Sequence, residues 1–127
     1  MTIHDLLNQW FDIAADDLEV AKGCLEKYHP PKLAVACYHA QQAAEKSLKG
    51  FLTYCNIEPP HIHDLSELCK MCTEYDASFR KILELCNDIN PYSTITRTTY
   101  PAACMLAAGL LMTCYLLLLT SFFFTQR

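Results

Sequence analysis

The chain has 127 residues, 52% of them hydrophobic, with 10 basic against 14 acidic side chains and a net charge of −4. A single domain of that size buries a core without staples, and the acidic balance argues against an independent nucleic-acid binder, which carries a basic excess, while leaving RNA contact at a small local site open. Eight cysteines suggest a disulfide set, but no secretory leader pattern opens the chain. Cys24, Cys37, Cys55, Cys69, Cys72 and Cys86 lie inside helical patterns, mostly at apolar positions. They are expected to be reduced, buried thiols of a cytoplasmic protein.

A first helix is expected over residues 3–28, where Ile3, Leu7, Trp10, Ala14, Ala21 and Leu25 keep a near-heptad spacing, widened by Leu6, Ile13 and Leu18. Pro30 and Pro31 end it. A second helix is expected over 32–56, closed before Pro59 and Pro60. Gly50 within it costs up to about 1 kcal/mol against alanine and marks close approach by another helix. Glu45 and Lys49 form an i,i+4 pair in the favourable order, worth a few tenths of a kcal/mol on a helix surface. Asp64, followed three residues later by Glu67, has the form of a capping box opening a third helix over 65–75. A fourth is expected over 78–89, with Phe79, Ile82, Leu83 and Cys86 inward, broken at Asn90-Pro91. Residues 91–101 are expected to be loop. No strand pattern stands out, so the fold class is all-α, an up-and-down antiparallel bundle of four to five helices in one domain, residues 1–127.

The second helix carries the most information. Ala36, Ala40, Ala43, Ala44 and Leu48 make a thin apolar face, while His39, Gln42, Lys46 and Lys49 follow at steps of three, four and three on one side. This stretch resembles the central helix of the HEPN family, the higher-eukaryote and prokaryote nucleotide-binding domains. Supporting residues are Trp10-Phe11 with Asp16-Asp17-Leu18 in the first helix, Ile62-His63-Asp64-Leu65 where the family has Thr-His-Asp-Leu, and Arg97-Thr98-Thr99-Tyr100-Pro101 where it has Arg-Tyr-Pro. The resemblance covers residues 5–101. It implies a small stand-alone prokaryotic domain that dimerises, is encoded beside a minimal nucleotidyltransferase in a toxin–antitoxin-like pair, and binds nucleotide. The ligand-facing residues it implies are His39, Gln42, Glu45, Lys46, His63 and Arg97. The alternative use of those groups is internal, with Glu45 bridging Lys46, Lys49 or His63.

Catalytic members of the family place His four to six residues beyond Arg, so that arginine stabilises phosphate charge and histidine moves a proton. Here those positions hold Ala102, Ala103 and Cys104 after Arg97, and Leu85, Cys86 and Asn87 after Arg80. No catalytic residue is therefore assigned, and the chain leans towards a non-enzymatic role. The alternative is an RNase toxin with a displaced histidine, His63 facing Arg97. No cofactor is expected. A zinc site from His61, His63, Cys69 and Cys72 follows no known ligand spacing and is not assigned. The aromatics Trp10, Phe11, Tyr28, Tyr38, Phe51 and Tyr54 are expected in the core, and Asp16-Asp17 on a solvated face.

Residues 102–124 depart from the resemblance. Twenty-three residues pass without a charge, long enough to cross a bilayer, where the family has an amphipathic, acidic last helix. Core helix with a dimer seam, membrane anchor for a tethered adaptor, and an aberrant end to the reading frame remain the alternatives.

Overall fold

The computed structural model describes residues 1–93; Arg97, the remainder of the expected 91–101 loop and the apolar stretch 102–124 lie outside them. Four α-helices, α1 (Ile3–Glu26), α2 (Leu33–Tyr54), α3 (Leu65–Thr73) and α4 (Leu83–Ile89), pack antiparallel, and the described residues contain no strand. Each boundary has a local cause. Thr2 opens α1 with a capping box: its Oγ1 accepts from the Asp5 amide at 3.2 Å, and Asp5 Oδ2 accepts from the Thr2 amide at 2.8 Å. The Thr2 amide, and then the Thr2 hydroxyl donating to the same Oδ2 at 2.8 Å, hold the Asp5 carboxyl below its usual range.

At its other end α2 closes in a Schellman motif. The Asn56 amide donates to Thr53 O at 3.0 Å and the Ile57 amide to Leu52 O at 2.9 Å. The motif needs a left-handed residue, and Asn56 supplies it with φ of 61°. Ile57 then packs onto the core that contains Leu52.

The α1–α2 seam is built mostly from small residues. Leu7, Ala14 and Ala21 recur every seventh residue on α1, and Ala36, Ala43 and Gly50 on α2; all six are buried. The expected close approach falls at Gly50, where a Cβ would stand 3.2 Å from both Trp10 Cβ and Phe11 Cζ. On its other side α2 meets α3 and α4 through Leu48, Leu52, Leu65, Leu68, Cys69, Cys72, Phe79, Ile82, Cys86 and Ile89. Burying leucine or isoleucine side chains such as these contributes roughly 1.5–3 kcal/mol each. Covered from both sides, α2 exposes only Tyr54 among its 22 residues.

Four expectations need correction. Residues 78–89 are not one α-helix: Asp76 caps Ser78, a 3-10 segment runs Ala77–Ile82, and only then does α4 begin. In a 3-10 turn residues i and i+3 eclipse, which puts Phe79 and Ile82 on one buried face. A second 3-10 turn, Asn90–Ser93, stands where the loop was expected to begin. Tyr28 and Tyr54 are exposed rather than core, Tyr28 with Lys32 over its ring at 4.6 Å. Finally, Asp64 caps α3 by accepting from Ser66 and Glu67 amides, but Glu67 turns outward to Lys70 at 3.2 Å instead of completing the box.

The six cysteines of the described residues are thiols rather than disulfides, five of them buried and Cys55 half-buried. Their sulfurs act as weak hydrogen-bonding hydrophobes: Cys69 Sγ reaches Phe79 O at 3.3 Å and Cys72 Sγ reaches Leu48 O at 3.6 Å. Burial pushes the Cys72 thiol far above its ordinary value. No helix among the described residues is long and apolar enough to cross a membrane.

Candidate functional site

A fully buried carboxylate organises the polar side of α2. The side chain of Glu45 has 0% exposure. Its Oε1 is met by Lys49 Nζ at 2.9 Å, His63 Nδ1 at 2.8 Å and Lys46 Nζ at 3.8 Å. Burial raises the carboxyl's pKa, but the hydrogen bonds from Lys49 and His63 and the charges of Lys46 and Lys49 outweigh it, leaving Glu45 below the ordinary carboxylate range. An ionised carboxylate only accepts, so His63 carries a proton on Nδ1. All three partners converge on Oε1. Oε2 is buried and has no hydrogen-bond partner among the described residues.

The local fold delivers each partner. Lys49 lies one turn beyond Glu45 on α2 and is itself buried, its side chain only 8% exposed. The pair is therefore an interior ion pair, not the weak surface pair that its spacing alone implies. His63 comes from the turn before α3, and that turn is held from two sides. Gln41, fully buried on α2, donates to His63 O at 3.2 Å. On the other side Asn90 clamps the start of α3, donating to Asp64 Oδ1 at 3.0 Å and accepting from the Leu65 amide at 2.9 Å. Ser66 Oγ also donates to Asn87 Oδ1. His63 keeps 73% of its side chain exposed, so one ring nitrogen is fixed to Glu45 and the rest of the ring faces out.

His39 stands apart from that cluster. Its Nδ1 is 2.8 Å from Asp17 Oδ1, bridging α2 to α1. Asp17 is thus withdrawn from the solvated face expected for it, its side chain 18% exposed, while Asp16 stays exposed. Gln42 donates to Gln41 Oε1 at 2.8 Å. The structure therefore brings Glu45, Lys46 and His63 together, places His39 on a separate pair with Asp17, and ties Gln42 to Gln41; Arg97 lies outside the described residues. Sequence reasoning missed Gln41 and Asp17. A glutamine on a leucine-bearing face was the available signal for Gln41; Asp17 had none, because the pair depends on the register of two helices.

Among the described residues no group of three or more His, Cys, Asp and Glu side chains could hold a metal ion. The four zinc candidates are not gathered: Cys69 and Cys72 are buried in the α3 core, while His61 and His63 are exposed. A shallow open depression lined by Asp16, Val20, Cys24 and Tyr28 lies on the last turns of α1 and includes none of the candidate residues.

An all-α bundle whose central helix carries small residues on one seam and a buried acid–base cluster on its flank defines the class. Comparison with protein families matches residues 7–104 to the HEPN domain, and the chain belongs to that family. Comparison with curated proteins finds no match, and comparison with solved structures finds none.

Proposed function

We propose that this protein is a non-catalytic HEPN subunit, binding nucleotide or a protein partner within a two-component, toxin–antitoxin-like pair whose other member is a minimal nucleotidyltransferase. The observation that carries the proposal is the Glu45 cluster. Three cationic or protonatable groups surround one carboxylate, so the patch retains positive charge with His63 and Lys46 accessible, which suits a phosphate-bearing ligand. The spacing of Arg and His that the catalytic members use is missing after Arg80 and Arg97, which removes the groups needed to move a proton on a bound phosphodiester. Gln42, His39 and Arg97 complete the proposed ligand-facing set.

The proposal includes a homodimer. Ile3, Leu6, Ile13 and Val20 form an exposed apolar row on α1, and such a row favours association with a second copy. The test is affinity capture of the tagged full-length chain from its own host, with identification of what copurifies. A nucleotidyltransferase recovered in near-equal amount is the expected result. Recovery of the chain alone, or with membrane proteins only, overturns the two-component assignment.

A further inference from the structure

We propose that the Asp17–His39 pair forms a phosphate-facing site, in which Asp17 positions the imidazole and His39 Nε2 meets the ligand together with Lys46. The proposal rests on the reading of α2 as the ligand-binding helix given above, and it assigns Asp17 a role there.

The first observation is the state of the imidazole. His39 Nδ1 faces Asp17 Oδ1 at 2.8 Å, so the proton on that nitrogen is held by the carboxylate and Nε2 is left as the nitrogen that takes up a second proton and donates it to a ligand oxygen. The Tyr38 ring stands edge-on to His39, centroids 5.1 Å apart at 80°, and supports the ring on a second side. Nε2 makes no hydrogen bond to any described residue, and the side chain keeps 24% exposure.

The second observation is a surplus cation. Glu45 is already neutralised by Lys49 and His63 at 2.9 and 2.8 Å, whereas Lys46 sits at 3.8 Å from the same oxygen with 21% of its side chain exposed. Its charge is available to another partner.

The third is placement. His39, Gln42 and Lys46 follow at steps of three and four and share one face of α2. Seven residues of helix separate the Cα atoms of His39 and Lys46 by about 10 Å, a span that an imidazole and an extended lysine close around one tetrahedral anion lying over Gln42. The Gln42 amide gives one hydrogen to Gln41 and keeps the other. With the His39 ring protonated on both nitrogens, these groups supply donors and the charges of Lys46 and the imidazolium, which fits phosphate, with its several acceptor oxygens and charge near −2. Asp16 beside Asp17 and the net charge of −4 weaken long-range attraction, so affinity has to come from direct contact.

The experiment uses the 15N-labelled full-length chain, with the His39 ring nitrogens assigned through His39→Gln, titrated with inorganic phosphate against chloride. A saturable shift of His39 Nε2 is expected. Lys46→Gln, at a partly exposed position, weakens phosphate about 10-fold, the loss of one charge-assisted contact. Asp17→Asn removes the carboxylate that balances the doubly protonated ring and weakens phosphate by a similar factor, with the 15N signature of a ring protonated on both nitrogens lost from the phosphate complex; Asp17→Glu restores both. A purely structural bridge would leave the protonation-linked loss and the Lys46 effect absent. The proposal is overturned if phosphate shifts His63 instead of His39, shifts neither, or binds equally to Lys46→Gln. A His39 response without a copurifying nucleotidyltransferase keeps this site and removes the two-component assignment; a copurifying partner with His39 silent does the reverse.

Discussion

Replacing Glu45 by glutamine removes one charge and almost no volume, so it isolates the electrostatics of the buried cluster. Its three partners do not lose equally. His63 is largely exposed and can turn to water; Lys46 is at 3.8 Å and partly exposed. The loss falls on Lys49, at 2.9 Å and 8% exposed, whose ammonium would stay inside without a counter-charge. Breaking a buried pair costs about 3–5 kcal/mol. The amide oxygen of glutamine still accepts from Lys49, and the long stem lets the ammonium reach towards water, which reduces the expected loss to about 2–3 kcal/mol. For a chain of 127 residues that lowers Tm by roughly 6–18 °C, at about 3–6 °C per kcal/mol.

The same cluster fixes a pH dependence. Glu45 titrates lower folded than its ordinary value of 4.5, so its contribution is complete above about that pH and is lost as pH falls through the folded pKa. Thermal and urea unfolding of the full-length chain, followed by circular dichroism and Trp10 fluorescence, should show the gap between wild type and Glu45→Gln narrowing from pH 7 to pH 3. Adding Lys49→Met to Glu45→Gln should recover most of the loss, because the orphaned charge is removed with its partner. A single variant within about 0.5 kcal/mol of wild type at pH 7, in the range of ordinary surface changes, or a gap unchanged at pH 3, would refute the assignment of Glu45 as an ionised interior anchor.

Three further outcomes follow from the fold. Gly50→Ala gains up to about 1 kcal/mol of helix propensity but forces α1 away from contacts at 3.2 Å, an overpacking cost of about 1–3 kcal/mol; urea unfolding should show a net loss near 1 kcal/mol. Asn56→Ala puts a Cβ-bearing residue without Asn's local hydrogen bonding at φ of 61° and should lower stability by about 1 kcal/mol, whereas Asn56→Gly should not, as read by chemical denaturation. In native thiol labelling at pH 8 mapped by mass spectrometry, burial and then the nearby Asp76 charge raise the Cys55 thiol and make it slower than a free cysteine, while Cys72, fully buried and shifted much further, should label only on unfolding.

Much of the architecture was legible because it is periodic. Alanines and leucines at helical spacing placed α1, α2 and α3 to within two residues, and a glycine amid helix formers pointed to the contact with Trp10 and Phe11. What stayed hidden depends on tertiary register. Glu45 and Lys49 show the spacing of a solvent-facing pair, and only the packing of α3 and α4 around α2 makes them interior. Asp17 carries nothing that separates it from Asp16; the antiparallel offset of α1 against α2 chooses which carboxylate meets His39. The division of residues 77–89 into a 3-10 turn and a short α-helix follows from the Asp76 cap and the eclipsed Phe79 and Ile82, a pattern that the α-helical period absorbs without a visible break. Tyr28 and Tyr54 read inward on aromaticity alone, yet both sit at helix ends and stay exposed.

The near-complete enclosure of α2 has a practical consequence for genetic screens. Its polar residues are also packing residues, so a substitution at Gln41, Glu45 or Lys49 lowers the amount of folded protein along with whatever the helix does. A growth-based scan would score these positions as functional even if they bound nothing. Dividing each phenotype by cellular abundance would separate them from Lys46 and His63, whose accessible side chains change chemistry while sparing the fold.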